Sequence, residues 1–216
     1  MSEAPWAAAR ALREGKEHGT RTTLVTCAAQ VFARRGYART TIADITAEAE
    51  VSRPAFYLYF TSKAEVFEAV ALRVRDEFLA AHEIPGVDED DPYELGRASS
   101  AAFLAAYAAN FDLMTVIEHQ AIADERLRAI WEEIQERPRR RMVRYIRRLS
   151  KQGVAQPAAS ATAVSDAVMG MFARFARTVP ADTAGFERRV DELTSMYLRL
   201  LGLDTARQPA SRGGHR

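Results

Sequence analysis

Apolar residues recur at helical spacing through nearly the whole chain, and nowhere do they alternate with the period of a strand. Leu24, Cys27, Ala28, Val31 and Phe32 follow the i, i+3, i+4, i+7, i+8 rule. They predict a first helix from about Thr22 to Arg35, stopped by Gly36. Ile42, Ile45 and Ala49 predict a short second helix, and Ser52–Leu58 a third; Phe56 and Val51 complete a small three-helix core. Val66, Phe67, Val70, Val74 and Phe78 predict a fourth helix from Lys63 to about His82. At 1.5 Å per residue it reaches about 30 Å, enough to join a small first domain to a second body.

The segment Glu83–Asp91 marks the clearest boundary, because Pro85 and Gly86 break the helix and four consecutive acids solvate the loop. Beyond it the pattern predicts helices from Asp91 to Ala109 (stopped at Asn110), from Asp112 to Ile122, and from Asp124 to Lys151 with a kink at Pro138. An eighth follows at about Ala158–Thr178 and a ninth at Phe186–Leu203, where Phe186, Val190, Leu193, Tyr197, Leu200 and Leu201 form the cleanest stripe in the chain. The expected class is all-α, with about nine helices. The expected organisation is a flexible N-terminal arm (1–19), a first domain with its connecting helix (20–82), a helical body (91–203) and a disordered, Arg/Gly/Pro/Ser-rich tail (204–216).

Three consecutive helix starts between residues 40 and 65 carry capping chemistry. Thr41 with Asp44 supplies a hydroxyl and an N3 acid, Ser52 precedes a proline in the first turn, and Ser62 with Glu65 reads as a capping box. Two short helices joined by a three-residue turn fit a helix-turn-helix.

Composition refines this picture only a little. With 48% hydrophobic and 27% charged residues the 216-residue chain is that of a globular protein with a real core. No uninterrupted run of 18 apolar residues and no N-terminal apolar segment is present, so neither a spanning helix nor a secretory signal is expected. The single cysteine, Cys27, excludes an internal disulfide and reads as an inert core thiol, in keeping with the cytoplasm. Net charge is +1, but Arg21–Lys63 holds six basic residues against three acids. No Gly-rich phosphate loop, metal-ligand spacing or nucleophile motif appears, so neither an enzyme nor a cofactor is expected.

From about Leu24 to Val70 the chain resembles the DNA-binding end of the TetR family of bacterial regulators. Thr41-Ile42, Asp44-Ile45, Val51-Ser52, Phe56-Tyr57, Tyr59-Phe60 and Ser62-Lys63 carry the resemblance in one uninterrupted register. Glu50 stands where the family usually has a turn glycine, which places a non-glycine at φ > 0. Pro54 and Ala55 replace the more usual Gly-Thr pair. The resemblance implies a homodimeric repressor, the third helix in the major groove of a palindromic double-stranded operator, and release by a small effector bound in the C-terminal bundle.

Within that frame Arg53 is the residue of Ser52–Leu58 able to contact a guanine in bidentate fashion, and Ala55 can pack on a thymine methyl. Tyr57 and Tyr59 are placed to reach phosphates, or to serve as core aromatics. Lys63 sits at the first turn of its helix, where a cation opposes the dipole unless an anion arrives. By resemblance Lys63, Thr40 and Thr41 hold the DNA backbone. Ser52 and Pro54 complete the expected DNA-binding set.

In the second body Phe103, Tyr107, Phe111, Met114, Glu118, Trp131, Met169 and Phe172 are the candidates for an apolar or aromatic effector pocket, each with core packing as its alternative. Gln120 and His119 are further polar anchors, and His119 lacks a second ligand at i+3 or i+4 for a metal. Arg137–Lys151 holds eight basic residues and no acid. It reads as a solvated face, with an accessory DNA contact or an acidic-ligand mouth as alternatives. Arg10, Arg13 and Lys16 in the arm are candidates for the minor groove. The ninth helix, with Ala163, Ala167 and Gly170 of the eighth, offers a surface for two-fold pairing, although its stripe equally suits inward packing. The competing class is a helical ligand carrier or scaffold without specific DNA binding, which leaves the three caps unexplained.

Overall fold

The computed structural model describes residues 5–81, 83–84, 86–88, 90–180 and 182–203, with side chains from Gly19 onward. Among these residues there are eight helices and no strand: α1 (Pro5–Arg39), α2 (Ile42–Glu48), α3 (Arg53–Phe56), α4 (Lys63–Ala80), α5 (Pro92–Ala121), α6 (Glu125–Lys151), α7 (Ala161–Ala176) and α8 (Thr183–Leu200). The all-helical class is as expected. The count is eight because Asn110 does not stop its helix: its side-chain amide donates to Ala106 O at 3.1 Å and so bonds along the helix it was expected to end. The two segments on either side of it become the single helix α5. Helix α1 begins at Pro5 rather than near Thr22, and Gly36 (φ 73°, ψ 169°) interrupts it where the stop was expected. Helix α6 continues through Pro138. The expected tail from Asp204 lies outside the described residues.

The chain divides into two compact units, one of residues 1–75 with 112–131, the other of 76–111 with 132–216. Residues 112–131 thus group with the first unit, although they follow the acidic loop in sequence.

The first unit is built on Leu24, Ala28, Val31 and Phe32 of α1, Ile45 of α2, Phe56 of α3, Phe60, and Val66, Phe67, Val70 and Val74 of α4, all fully or nearly fully buried. Burying a side chain of this size stabilises the fold by about 1.5–3 kcal/mol. Phe32 meets Phe67 edge to face at 4.7 Å, and Tyr37 tilts against Phe67 at 4.9 Å. Cys27 is half-buried, its thiol 3.6 Å from Glu48 O. Burial, then the carboxylates of Glu48 and Glu50, raise the pKa of that thiol and keep it protonated.

In the second unit Leu104 (α5), Ile134 and Ile146 (α6), Val168 and Phe172 (α7), and Val190, Leu193 and Leu201 are buried. Gly96 permits close approach between α5 and α8, because a Cβ there would stand 3.3 Å from the Tyr197 ring. Ser160 and Asp182 cap α7 and α8 through Ala163 N and Gly185 N. The stripe on the last helix turns inward: Val190, Leu193, Tyr197 and Leu201 are buried in their own unit. Outside on α7 lie the small residues Ala163, Ala167 and Gly170, together with Asp166 and Arg174. Helix α5 contains an 18-residue window of mean hydropathy 1.4, long and apolar enough to cross a membrane. Inside the protein, Phe103, Leu104, Tyr107, Leu113, Met114 and Ile117 of this helix are buried.

Candidate nucleic-acid interface and helical cavity

The reading end is assembled by its caps. Thr41 and Asp44 form a full capping box: Asp44 N donates to Thr41 Oγ1 at 3.2 Å, and Thr41 N donates to Asp44 Oδ2 at 2.8 Å. The bonds from the Thr41 hydroxyl and amide, with Arg35 beside the carboxylate, lower the pKa of Asp44. Ser52 accepts from Ala55 N at 3.2 Å and starts α3. The third cap differs from expectation. Ser62 accepts from Glu65 N at 3.2 Å, but the Glu65 carboxylate reaches past it to Thr61 N and Thr61 Oγ1 at 2.6 and 2.7 Å. The box is therefore open by one residue, and the bonds from Thr61 lower the pKa of Glu65.

Between α2 and α3 the chain makes a Schellman turn. Val51 N donates to Thr46 O at 3.0 Å and Glu50 N to Ala47 O at 3.3 Å. The residue after the cap must then be left-handed, and Glu50 occupies it at φ 53°, the one non-glycine positive φ among the described residues. The departure from the usual turn glycine leaves the turn intact and strains it.

Helix α3 is a single turn, and its outward surface consists of Ser52, Arg53, Pro54, Tyr57 and Leu58, all exposed, with Ala55 and Tyr59 half-buried. Beneath them Phe56 and Phe60 are buried. Leu58 is 80% exposed, the largest apolar exposure on this face. Sequence reading passed over it because it brings no hydrogen-bonding group; its place one helical step beyond Arg53–Pro54 was the available signal.

Two expected backbone contacts look different in the structure. Thr40 is buried, and its hydroxyl donates to Gly36 O at 2.7 Å, so it fastens the turn after α1 instead of facing outward. Lys63 is half-buried: its ammonium donates to Tyr37 O and Thr40 O, both at 2.9 Å, and lies 4.4 Å from the Tyr37 ring centroid. It thereby neutralises carbonyls at the end of α1 while standing at the start of α4. Sequence reading did not couple Lys63 to Tyr37, since they lie far apart in the chain and no local pattern joins them. Arg34 pairs with Glu48 and Arg35 with Asp44. The local positive excess therefore rests on Arg21, which lies over the Phe60 ring, and on Arg39, Arg53 and Lys63.

The second unit holds a partly open cavity of about 400 Å³. It is walled by Leu95, Gly96, Ser99 and Phe103 of α5, Pro138, Arg141, Met142, Arg144, Tyr145 and Arg148 of α6, Met169 and Phe172 of α7, and Tyr197 of α8. Of the expected pocket residues, Phe103, Met169 and Phe172 meet here. Tyr107 is buried in a ring cluster with Phe78, Phe103 and Phe111. Met114, Glu118 and Trp131 belong to the first unit, with Met114 buried and Glu118 exposed, and His119 is exposed as well. Among the described residues no cluster of His, Cys, Asp and Glu is arranged to hold a metal.

A capped helix-turn-helix in one unit and a cavity in the helical body of the other define a two-part, all-helical architecture. Residues 24–70 match the profile of the bacterial regulatory proteins of the tetR family. Over 61 residues the chain is 43% identical to the HTH-type transcriptional regulator TtgR of Pseudomonas putida, and equally to the probable HTH-type transcriptional regulator ArpR of Pseudomonas putida. Each match covers 27% of this chain and 29% of the relative, so the chain spans less than a third of the length of these curated relatives. The fold extends further. A bacterial regulatory protein in the tetR family from Rhodococcus RHA1 superposes with a TM-score of 0.70 at 20% identity, over 86% of this chain and 98% of that one. A TetR-like transcriptional regulator from Rhodococcus sp. RHA1 does so at 0.66 and 24% identity, over 85% and 96%. The helix-turn-helix end of the chain thus matches the tetR family in sequence, and over most of its length the chain shares the fold of these regulators.

Proposed function

We propose that this protein is a homodimeric transcriptional repressor of the cytoplasm that binds a palindromic operator and leaves it when a small, largely apolar ligand enters the second unit. The observation that carries the reading is the capped α2–turn–α3, which holds Arg53, Pro54, Tyr57 and Leu58 outward over a buried Phe56–Phe60 base. A rigid scaffold that exposes one arginine and an aromatic–aliphatic surface suits the major groove. Thr41, Ser52, Tyr57 and Tyr59 supply polar groups for the phosphates beside it.

Dimerisation through α7 and α8 is supported by the exposed Ala163, Ala167 and Gly170, small enough to let a second helix pair approach. Helix α4 belongs to the first unit up to Arg75 and to the second from Asp76, which gives a ligand a continuous element to act on. The ligand must bind one head spacing more tightly than the other, since equal affinity shifts nothing.

The test is fluorescence anisotropy with the DNA upstream of the protein's own gene, at two salt concentrations, against a scrambled duplex. Saturable binding to a pseudo-palindrome that exceeds the scrambled control is the expected result. Equal affinity for both duplexes refutes the reading and favours a ligand carrier or scaffold.

A further inference from the structure

Helix α6 shows two arginine populations. Arg139 bonds to Asp166 and Glu136, and Arg140 lies 3.5 Å from Glu136, so these two are turned toward acids on the outside of the helix pair. Arg141, Arg144 and Arg148 share the cavity wall with Met142 and Tyr145. Positions 141, 144, 145 and 148 follow i, i+3, i+4, i+7, which places them on one helical face. The thirteen residues around this space include three guanidinium groups, two phenols and one hydroxyl, and no carboxylate. Phe103, Met169 and Phe172 make the rest of the wall apolar. Burial, with Tyr145 nearby, pushes the Tyr197 phenol well above its ordinary range, so it is a neutral hydrogen-bond donor. At the rim, Arg148 meets Asp90 of the loop before α5, whose Oδ1 lies 3.9 Å away.

We propose that this cavity selects an amphipathic carboxylate, its acid group taken by Arg141, Arg144 and Arg148 and its apolar body lying against Phe103, Met169 and Phe172. The proposal rests on the effector reading above and sharpens it, from an apolar ligand to an anionic one with an apolar body. Its chemistry follows from the donor set. Guanidinium pairs carboxylate in a two-pronged geometry, a lining without acids gives a cationic head group no counterpart, and a neutral head group finds hydrogen bonds but no charge pairing. A volume of about 400 Å³ lies toward the lower end of the usual range for small-molecule sites. Asp90 acts as the competitor that a ligand carboxylate displaces from Arg148.

The experiment uses the full chain and three probes of one length, decanoate, decanol and decylamine, titrated by calorimetry and by displacement of the neutral dye Nile red. Decanoate is expected to bind at least about tenfold more tightly than decanol, the size of a charge-assisted hydrogen bond, and decylamine more weakly than either. Arg148→Gln and Arg141→Gln are each expected to reduce the decanoate-to-decanol ratio severalfold. That ratio, taken within one variant, cancels any general loosening of the pocket. Asp90→Asn is expected to raise decanoate affinity and leave decanol unchanged. Decanol matching decanoate, or a ratio indifferent to all three substitutions, overturns the anionic proposal and leaves an apolar pocket standing. Nile red binding with no displacement by decanoate overturns it in the same way. Failure of the dye and all three probes to bind overturns the pocket itself.

Discussion

Lys63→Met removes an ammonium that the structure shows engaged inward, and its consequences separate two roles for this residue. The Nζ atom donates to Tyr37 O and Thr40 O at 2.9 Å and lies 4.4 Å from the Tyr37 ring centroid. Hydrogen bonds to a charged group are worth about 1.5–3 kcal/mol each, and an exposed cation–π contact adds about 0.5–1 kcal/mol. The site is half-buried, so water replaces part of this, and methionine keeps the aliphatic stem. A net loss of about 2 kcal/mol is expected, which corresponds to a fall in melting temperature of about 4–8 °C for a chain of this length. Tyr37→Leu should lose part of the same energy, and the double variant should lose less than the sum of the two. An ammonium has three N–H groups, and two go to carbonyls. The third is the one available to a phosphate, so the slope of log affinity against log salt should fall by about 0.9. Differential scanning fluorimetry reads the first effect and anisotropy at four salt concentrations the second. A variant that melts with the wild type refutes the clamp; an unchanged slope removes Lys63 from the DNA.

Three further outcomes follow from the same unit. Arg53→Ala should cost about 1–3 kcal/mol on the operator and relax preference at one position per half-site, measured by a systematic base-substitution series; equal losses on operator and random DNA would confine Arg53 to phosphates. Glu50→Gly should stabilise the protein by about 0.5–1 kcal/mol, since a left-handed L-residue costs about 1–2 kcal/mol and glycine returns part of that through unfolded-state entropy; Glu50→Ala serves as the control, and equal melting of the two shows that φ 53° carries no strain. The pKa of Asp44 is lowered in the folded state by Thr41, so its contribution is present above the ordinary carboxylate pKa and is lost as pH falls through the folded value. Acid titration below about pH 4 should therefore loosen α2, and Asp44→Asn should flatten that limb; an identical acid limb in the variant assigns the loss to other carboxylates.

Local chemistry made the reading end legible. Thr41–Asp44, Ser52 and Gly36 each declare themselves within four residues, and each does in the fold what its type dictates. Less readable was which backbone carbonyl a polar side chain takes, even one turn away. Asn110 looked like a stop because asparagine disfavours helix interiors, yet a bond to Ala106 O keeps it inside α5. Thr40 looked outward-facing until Gly36 O claimed its hydroxyl. In the second unit, periodicity marked which residues are apolar but not where the cavity lies. Phe103, Met169 and Phe172 reach it, while Tyr107 is taken up in a ring cluster. The arginine run of α6 gave the opposite difficulty. Charge alone suggests a solvated face, and only the fold separates Arg139, held by Asp166, from Arg141, Arg144 and Arg148 on the cavity wall.

The reading surface itself sets a limit on how an operator is recognised. Helix α3 is one turn long, and of its outward residues only Arg53 offers a side chain able to pair with a base edge in two-pronged fashion. Pro54, Ala55 and Leu58 bring shape and apolar contact, and Thr40, expected at the DNA backbone, is turned inward. A single bidentate contact supplies about 1–3 kcal/mol of discrimination per half-site, against the roughly 4–10 kcal/mol that separates specific from non-specific binding in typical DNA-binding proteins. Two half-sites leave a shortfall at the lower end of the first range, which groove width, duplex deformability and methyl contacts at Leu58 and Ala55 must fill. For the proposed repressor, base pairs that no side chain touches should therefore matter. Replacing A·T pairs by G·C between the half-sites should weaken binding as much as altering a contacted pair, and indifference to such replacements would return the specificity to direct contacts.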